Sequence, residues 1–209
     1  DADQFAAASQ AKYEAAKQVG FFAGEIVGVE VPQGRKLPAK LVDQDEHPRP
    51  SSNLEALQKL RPLFEGGVVT AGNASGVNDG AAALIIGSEA AQEKLGIQPM
   101  AKIIASAAAG IEPRIMGAGP VDAIKLALKR ANLTLDDMDI IEINEAFASQ
   151  VLACLKGLNV AFDDARVNPN GGAIAVGHPL GASGARLVLS TARELQRSGK
   201  KYAVISLCI

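Results

Sequence analysis

"VNPNGGAIAVGHPLGASGAR", Val167 to Arg186, carries one of only two histidines in a 209-residue chain, within a run that holds five glycines. Residues without a Cβ let main chain bend sharply or come close to another group. A ring set among Gly171, Gly172, Gly177, Gly181 and Gly184 therefore has little side chain to pack against. Considered alone, His178 reads as a solvated ring on a tight turn. The glycine density reverses that preference, because a loop built for close approach is where a positioned imidazole can act as an acid or base. The segment after Gly181 leads into a helix whose free amides could hold an anion. A lysine-bearing phosphate loop and the GxGxxG spacing are both absent, which makes a nucleotide loop a weak reading.

Outward from this loop, apolar strands and helices alternate. Expected strands are 101–109, 139–143 and the terminal YAVISLCI (202–209), separated by helices at 121–131, 146–155 and 182–198. Such alternation predicts an α/β layered sheet with helices on its faces. Upstream, 3–19 reads as a helix stopped by Gly20, 25–31 as a strand, 32–50 as an exposed connection and 53–60 as a short capped helix. A glycine-rich stretch, VVTAGNASGVNDG, precedes an expected strand at 81–86 and a helix at 88–95. GIQP, Gly96 to Pro99, marks the expected domain boundary.

Composition narrows the function classes. A hydrophobic fraction of 48% is enough for a real core, and a net charge of −2 offers no cationic field for nucleic acid or an anionic membrane. Charged residues break every apolar run before spanning length, and the first residues lack a signal core, so a cytoplasmic, unexported chain is expected. Cys154 and Cys208 form no CxxC and have no neighbouring histidine. Neither a metal site nor a disulfide framework is indicated.

Several other residues stand where chemistry is possible. Asn144 and Glu145, in IEINEAFASQ, fall at the end of an expected strand, the edge of an α/β sheet that commonly carries ligands. Alone, Asn144 reads better as a helix cap. Cys208 ends the last strand, a better position for chemistry than the mid-helix Cys154, which reads as an apolar filler. Ser75 and Asn78 read as turn formers, His47 as a loop residue, and TLDDMD (134–139) as a helix start.

Taken together, NASGVNDGAAA (73–83), IMGAGP (115–120), NEAF (144–147), the opening stretch and the terminal LCI resemble the thiolases, the acetyl-CoA C-acyltransferases, along essentially the whole chain. The ordered set is far more specific than any one motif. The resemblance implies two similar βαβαβαββ halves in an αβαβα stack, with a loop domain inserted in the first. On that pattern 1–78 is the end of the loop domain, 79–98 the last strand and helix of the first half, and 99–209 the second half.

The resemblance also implies roles. His178 would deprotonate a nucleophilic cysteine and donate to the thioester oxygen; Cys208 would move the proton at the substrate α-carbon or the CoA thiol. Asn144 would hold a water in the oxyanion site. Ser75 would contact the pantetheine arm, Met116 and Phe147 would wall the acyl pocket, and Arg49 would approach the CoA phosphates. The implied reaction is ping-pong acyl transfer between CoA thioesters, with no other cofactor, in a homodimer or homotetramer. Short acyl groups suit the small residues of IMGAGP and GASGAR, while DEHPRP and DDARVNPNGG are similar to 3-oxoadipyl-CoA thiolases. Neither cysteine matches the family's acyl-accepting motif, so these 209 residues alone are expected to be inactive. A rival reading is a non-catalytic CoA-binding or dimerisation fragment.

Overall fold

In the computed structural model, which describes residues 1–209, helix α1 spans Ala2–Gln18. Phe5, Ala6, Ser9, Gln10, Tyr13 and Ala16 are its buried residues, the spacing of one helical face. A 3-10 turn, Phe21–Gly24, leads to a short antiparallel pair, β1 (Val29–Val31) and β2 (Lys40–Val42). β2 lies inside the stretch the sequence reads as a connection. Three residues between proline and charge are too few to carry a period. Helix α2 covers Leu54–Leu57, ending before the expected Leu60, and its cap is Asn53, whose side chain accepts from the Ala56 amide. Helix α3, Glu89–Leu95, is capped in the same way by Ser88.

The strands expected at 81–86 and 101–109 do not form. Neither segment hydrogen-bonds through its backbone to another strand. An apolar run becomes a strand only when a neighbour takes up its amides and carbonyls, and no element of residues 1–209 does so here.

From 113 onward the expected alternation is present. A 3-10 turn at Pro113–Ala118 enters α4 (Gly119–Ala131), and the acidic run opens a second 3-10 turn, Leu135–Asp137, through a Thr134/Asp137 capping box. Then follow β3 (Ile140–Ile143), α5 (Ala148–Gly157), α6 (Ala173–Val176), α7 (Leu180–Ser198) and β4 (Ala203–Ser206).

β3 and β4 pair in parallel, Ile140 opposite Ala203 and Ile143 opposite Ser206. Val167 bridges to Ile141 on the other side of β3. Successive strand residues face opposite ways. Ile141 and Ile143 enter a core with Phe5 and Ala6 of α1, Ile124 and Leu128 of α4, and Val151 and Leu155 of α5. The other face of β3 is covered by α7. The order helix, sheet, helix is the α/β layering read from the sequence. Its useful consequence is that β3 and β4 end at the same sheet edge. No helix is long and apolar enough to cross a membrane.

Candidate active site

Asn144 leaves the end of β3 and is held there by its backbone, whose N–H donates to the Ser206 carbonyl at 2.9 Å. Its side chain is 1% exposed, and Nδ2 lies 3.2 Å from His178 Nε2. Asn144 Oδ1 is buried with no partner. A buried orphan acceptor is costly, which makes this atom a natural place for a water or substrate donor.

His178 is fixed from three directions. Its backbone N–H donates to the Gly76 carbonyl at 3.1 Å and to Asn78 Oδ1 at 3.2 Å, and Nδ1 stands 2.6 Å from Ser183 Oγ. The ring is nearly buried. Burial first, and the Arg186 cation second, hold its pKa below the usual 6.5. The imidazole is therefore neutral at pH 7 and able to accept a proton.

The glycines around it serve the protein's own packing more than a ligand path. At Gly177, φ is 92° and a Cβ would fall on the Asn78 amide. At Gly172 a Cβ would fall on the Glu145 carboxylate. Gly181 and Gly184, by contrast, face open space. Only the second pair leaves room near the start of α7.

Glu145 is fully buried and receives three hydrogen bonds, from Ser9 Oγ at 2.6 Å, Asn168 Nδ2 at 2.8 Å and the Ile174 N–H at 3.1 Å. It ties α1, the segment after Val167 and α6 to the turn that carries Asn144. Burial nonetheless pushes its pKa up, against those three donors. Asn168, at φ 42°, also closes both the Ile143 N–H and carbonyl, so the sheet edge is finished by a side chain.

The remaining expected residues divide into near and far. Ser75 donates its backbone N–H to the Ala146 carbonyl at 3.0 Å, and Ala74 bridges to Phe147. Ser75 and Phe147 therefore border the turn holding Asn144. Met116 lies in the 3-10 turn packed on α5, where the next residue, Gly117, takes a bond from Cys154 Sγ at 3.1 Å. Met116 and Phe147 are both partly exposed, as pocket walls must be. Cys208 follows β4 to the edge where Asn144 stands, and burial pushes its thiol up. No hydrogen bond joins Cys208 to His178. Arg49 is held by its own loop: its Nη1 bonds the carbonyls of Glu46, His47 and Pro48 at 2.9, 2.8 and 3.2 Å. Cys154 is buried in the core, as the sequence suggests, and burial pushes its pKa up to about 11.

A cavity of about 180 Å³ lies under α1, lined by Phe5, Ser9, Lys12, Glu145 and Phe162 among others, and it includes none of His178, Asn144 and Cys208. The Glu145 carboxylate in its lining is already bonded to three donors. We read it as a packing gap.

Residues 1–90 match the family description "Thiolase, N-terminal domain" and 97–209 match "Thiolase, C-terminal domain". The chain belongs to the thiolase family. It is 59% identical to a beta-ketoadipyl-CoA thiolase of Acinetobacter baylyi, across 100% of this chain and 52% of that protein. It thus spans about half the length of the curated relatives it matches. An acetyl-CoA acetyltransferase of Bacillus anthracis superposes with a TM-score of 0.95 at 42% identity, over 100% of this chain and 52% of that one. Human mitochondrial 3-ketoacyl-CoA thiolase in complex with CoA superposes at 0.92 with 50% identity, over 100% and 51%. The layered α/β arrangement is accordingly the thiolase fold.

Two contacts that hold His178 in this thiolase chain were not readable in its sequence. Ser183 looks like one more small residue in GASGAR, and Asn78 like a turn former. Ser183 has one sequence signal, a hydrogen-bonding side chain among the small residues of 181–185; Asn78 has none, since Asn73, Ser75 and Asp79 crowd the same stretch.

Proposed function

We propose that this chain carries the acid/base part of a thiolase acyl-transfer site. A cysteine takes the acyl group from a 3-oxoacyl-CoA and passes it to CoA, or the reverse Claisen condensation joins two acetyl-CoA molecules. The observation that carries the reading is the Asn144–His178 contact at the sheet edge to which β4 also delivers Cys208.

Neutral His178 takes the proton of the nucleophilic thiol, and the resulting imidazolium donates from Nε2 to the thioester oxygen. Asn144 holds the water that completes the oxyanion site. Cys208, its pKa raised by burial, keeps its proton at neutral pH and gives it up only when a reacting atom can take it. Ser75 borders the pantetheine arm, while Met116 and Phe147 wall the acyl pocket. For Arg49 to meet the CoA phosphates, it must release the three carbonyls it now holds. Neither Cys154 nor Cys208 is the acyl acceptor in this reading, so a polypeptide limited to these 209 residues gives no thiolysis.

CoA thioesters are the substrates and no further cofactor takes part. The working enzyme is a cytoplasmic homodimer or homotetramer, with 1–78 as the end of a loop domain, 79–98 closing the first half and 99–209 forming the second. The name of the Acinetobacter relative supports 3-oxoadipyl-CoA as substrate; the acetyltransferase superposition supports a short acyl group.

The test uses this chain within a polypeptide of its relatives' length, assayed for cleavage of 3-oxoadipyl-CoA and acetoacetyl-CoA. His178→Ala should lower kcat/KM by roughly 10²–10⁴-fold, the usual contribution of a general base. Undiminished cleavage by that variant would overturn the reading.

A further inference from the structure

We infer that Ser183 is the positioning residue that decides which nitrogen of His178 does chemistry: by accepting the Nδ1 proton, it leaves Nε2 bare beside Asn144. Ser183 is 0% exposed and lies in the first turn of α7. Side chains on a helix lean toward its N-terminus, and Gly177 turns the chain just before α7 so that the His178 ring stands there to meet it. Ser183 Oγ is 2.6 Å from His178 Nδ1 and 3.0 Å from the Pro179 carbonyl.

One consistent set of bond directions follows if the Ser183 hydroxyl donates to the Pro179 carbonyl. A carbonyl only accepts, and a hydroxyl has one proton to give. With that proton on the Pro179 carbonyl, the Ser183 lone pairs face the ring and Nδ1 is the donor. The far side of the ring gives the same answer independently. Asn144 Nδ2, 3.2 Å from Nε2, can only donate, so Nε2 must accept. With the Asn144 amide and the Ser183 hydroxyl oriented in this way, both ends match the neutral Nδ1–H tautomer.

That tautomer matters because one nitrogen performs two tasks in sequence. Unprotonated Nε2 exchanges its bond from Asn144 for a thiol proton and afterwards holds that proton toward the developing oxyanion. The opposite tautomer would present an N–H to the thiol and could accept nothing. This use of the tautomer rests on the function proposed above; the tautomer itself does not, and it can be measured without any turnover.

The measurement is long-range proton–nitrogen correlation on the 209-residue chain with nitrogen-15-labelled histidine. Only two imidazoles are present, and His47→Gln assigns them. The wild-type spectrum should show His178 as Nδ1–H at neutral pH. Ser183→Ala should move the tautomer ratio toward Nε2–H by roughly tenfold, about the weight of one neutral hydrogen bond. A helix-capping role alone would lower stability and leave the ratio where it was. Nε2–H in the wild type, or an unchanged ratio in Ser183→Ala, overturns the inference. Should Ser183→Ala fail to fold, the wild-type tautomer decides alone. Loss of thiolysis by the longer polypeptide would bear on the function and leave the tautomer standing.

Discussion

Between residues 77 and 112, Val77, Ile85 and Ile86 are 96%, 99% and 75% exposed, whereas Ile140, Ile141 and Ile143 of β3 are all at 0%. Both regions carry paired isoleucines suited to a pleated surface, and although 81–86 and 101–109 hold more alanine, composition alone does not separate them. Partnership does. β3 has β4 on one side and Val167 on the other, with α4 and α5 against one face and α7 against the other. The segments at 81–86 and 101–109 pair with no strand, and the tie of 101–109 to α4 is the bond from Arg130 Nη1 to the Ser106 carbonyl. In β3 burial and strand pairing occur together, and the catalytic candidates Asn144 and His178 stand on the region that has both.

The sharpest way to break this contrast is to truncate the same side chain in each region. Ile143→Ala should cost about 2–5 kcal/mol, the transfer and cavity penalty of a packed core position. Ile85→Ala should stay within about 0.5 kcal/mol, as for surface sites. Urea denaturation of both variants checks this. Equal losses would mean that 81–86 is packed after all.

A smaller effect lies inside the ordered region itself. Glu142 faces the α7 side of β3, and burial pushes its pKa from 4.5 up to about 8, with Arg186 opposing the rise and Glu145 adding to it. Folded, the carboxyl keeps its proton to about pH 8; unfolded, it releases it near 4.5. Between those values the unfolded state binds fewer protons, so raising the pH favours unfolding. The stability this group contributes is complete below 4.5 and gone above about 8. Glu142→Gln removes that loss. Its stability relative to the wild type should rise across this window, by on the order of 1–3 kcal/mol. A parallel pH dependence of the two proteins would show that Glu142 is ionised in the fold.

How far the sequence could anticipate this follows from the range of each interaction. The long helices were legible because α1 and α7 repeat their apolar residues within one element. β3 was legible as an apolar run, but the same signal at 81–86 and 101–109 marked no strand, since nothing local says whether a partner exists. β2 was too short to register. The approach of Asn144 to His178 was reachable through the family pattern of two motifs. The setting of His178 was not, because Ser183 meets the ring only after Gly177 turns the chain at φ 92°. The same holds for Glu145, whose three donors come from residues 9, 168 and 174.

The smallest expected effect tests the contrast at equal local chemistry. Asn53 and Ser88 cap their helices identically, each accepting from the amide three residues on, at 2.9 and 3.2 Å. α2 buries Leu57 in the main core, while α3 buries nothing. Loss of a cap loosens a helix by about 1 kcal/mol, and that reaches global stability only if the helix is coupled to the core. Asn53→Ala should therefore lower the urea midpoint, and Ser88→Ala should leave it unchanged while speeding amide exchange within 89–95. If Ser88→Ala lowered the midpoint as much as Asn53→Ala, α3 would be part of the same cooperative unit as β3, and the division between the two regions would have to be redrawn.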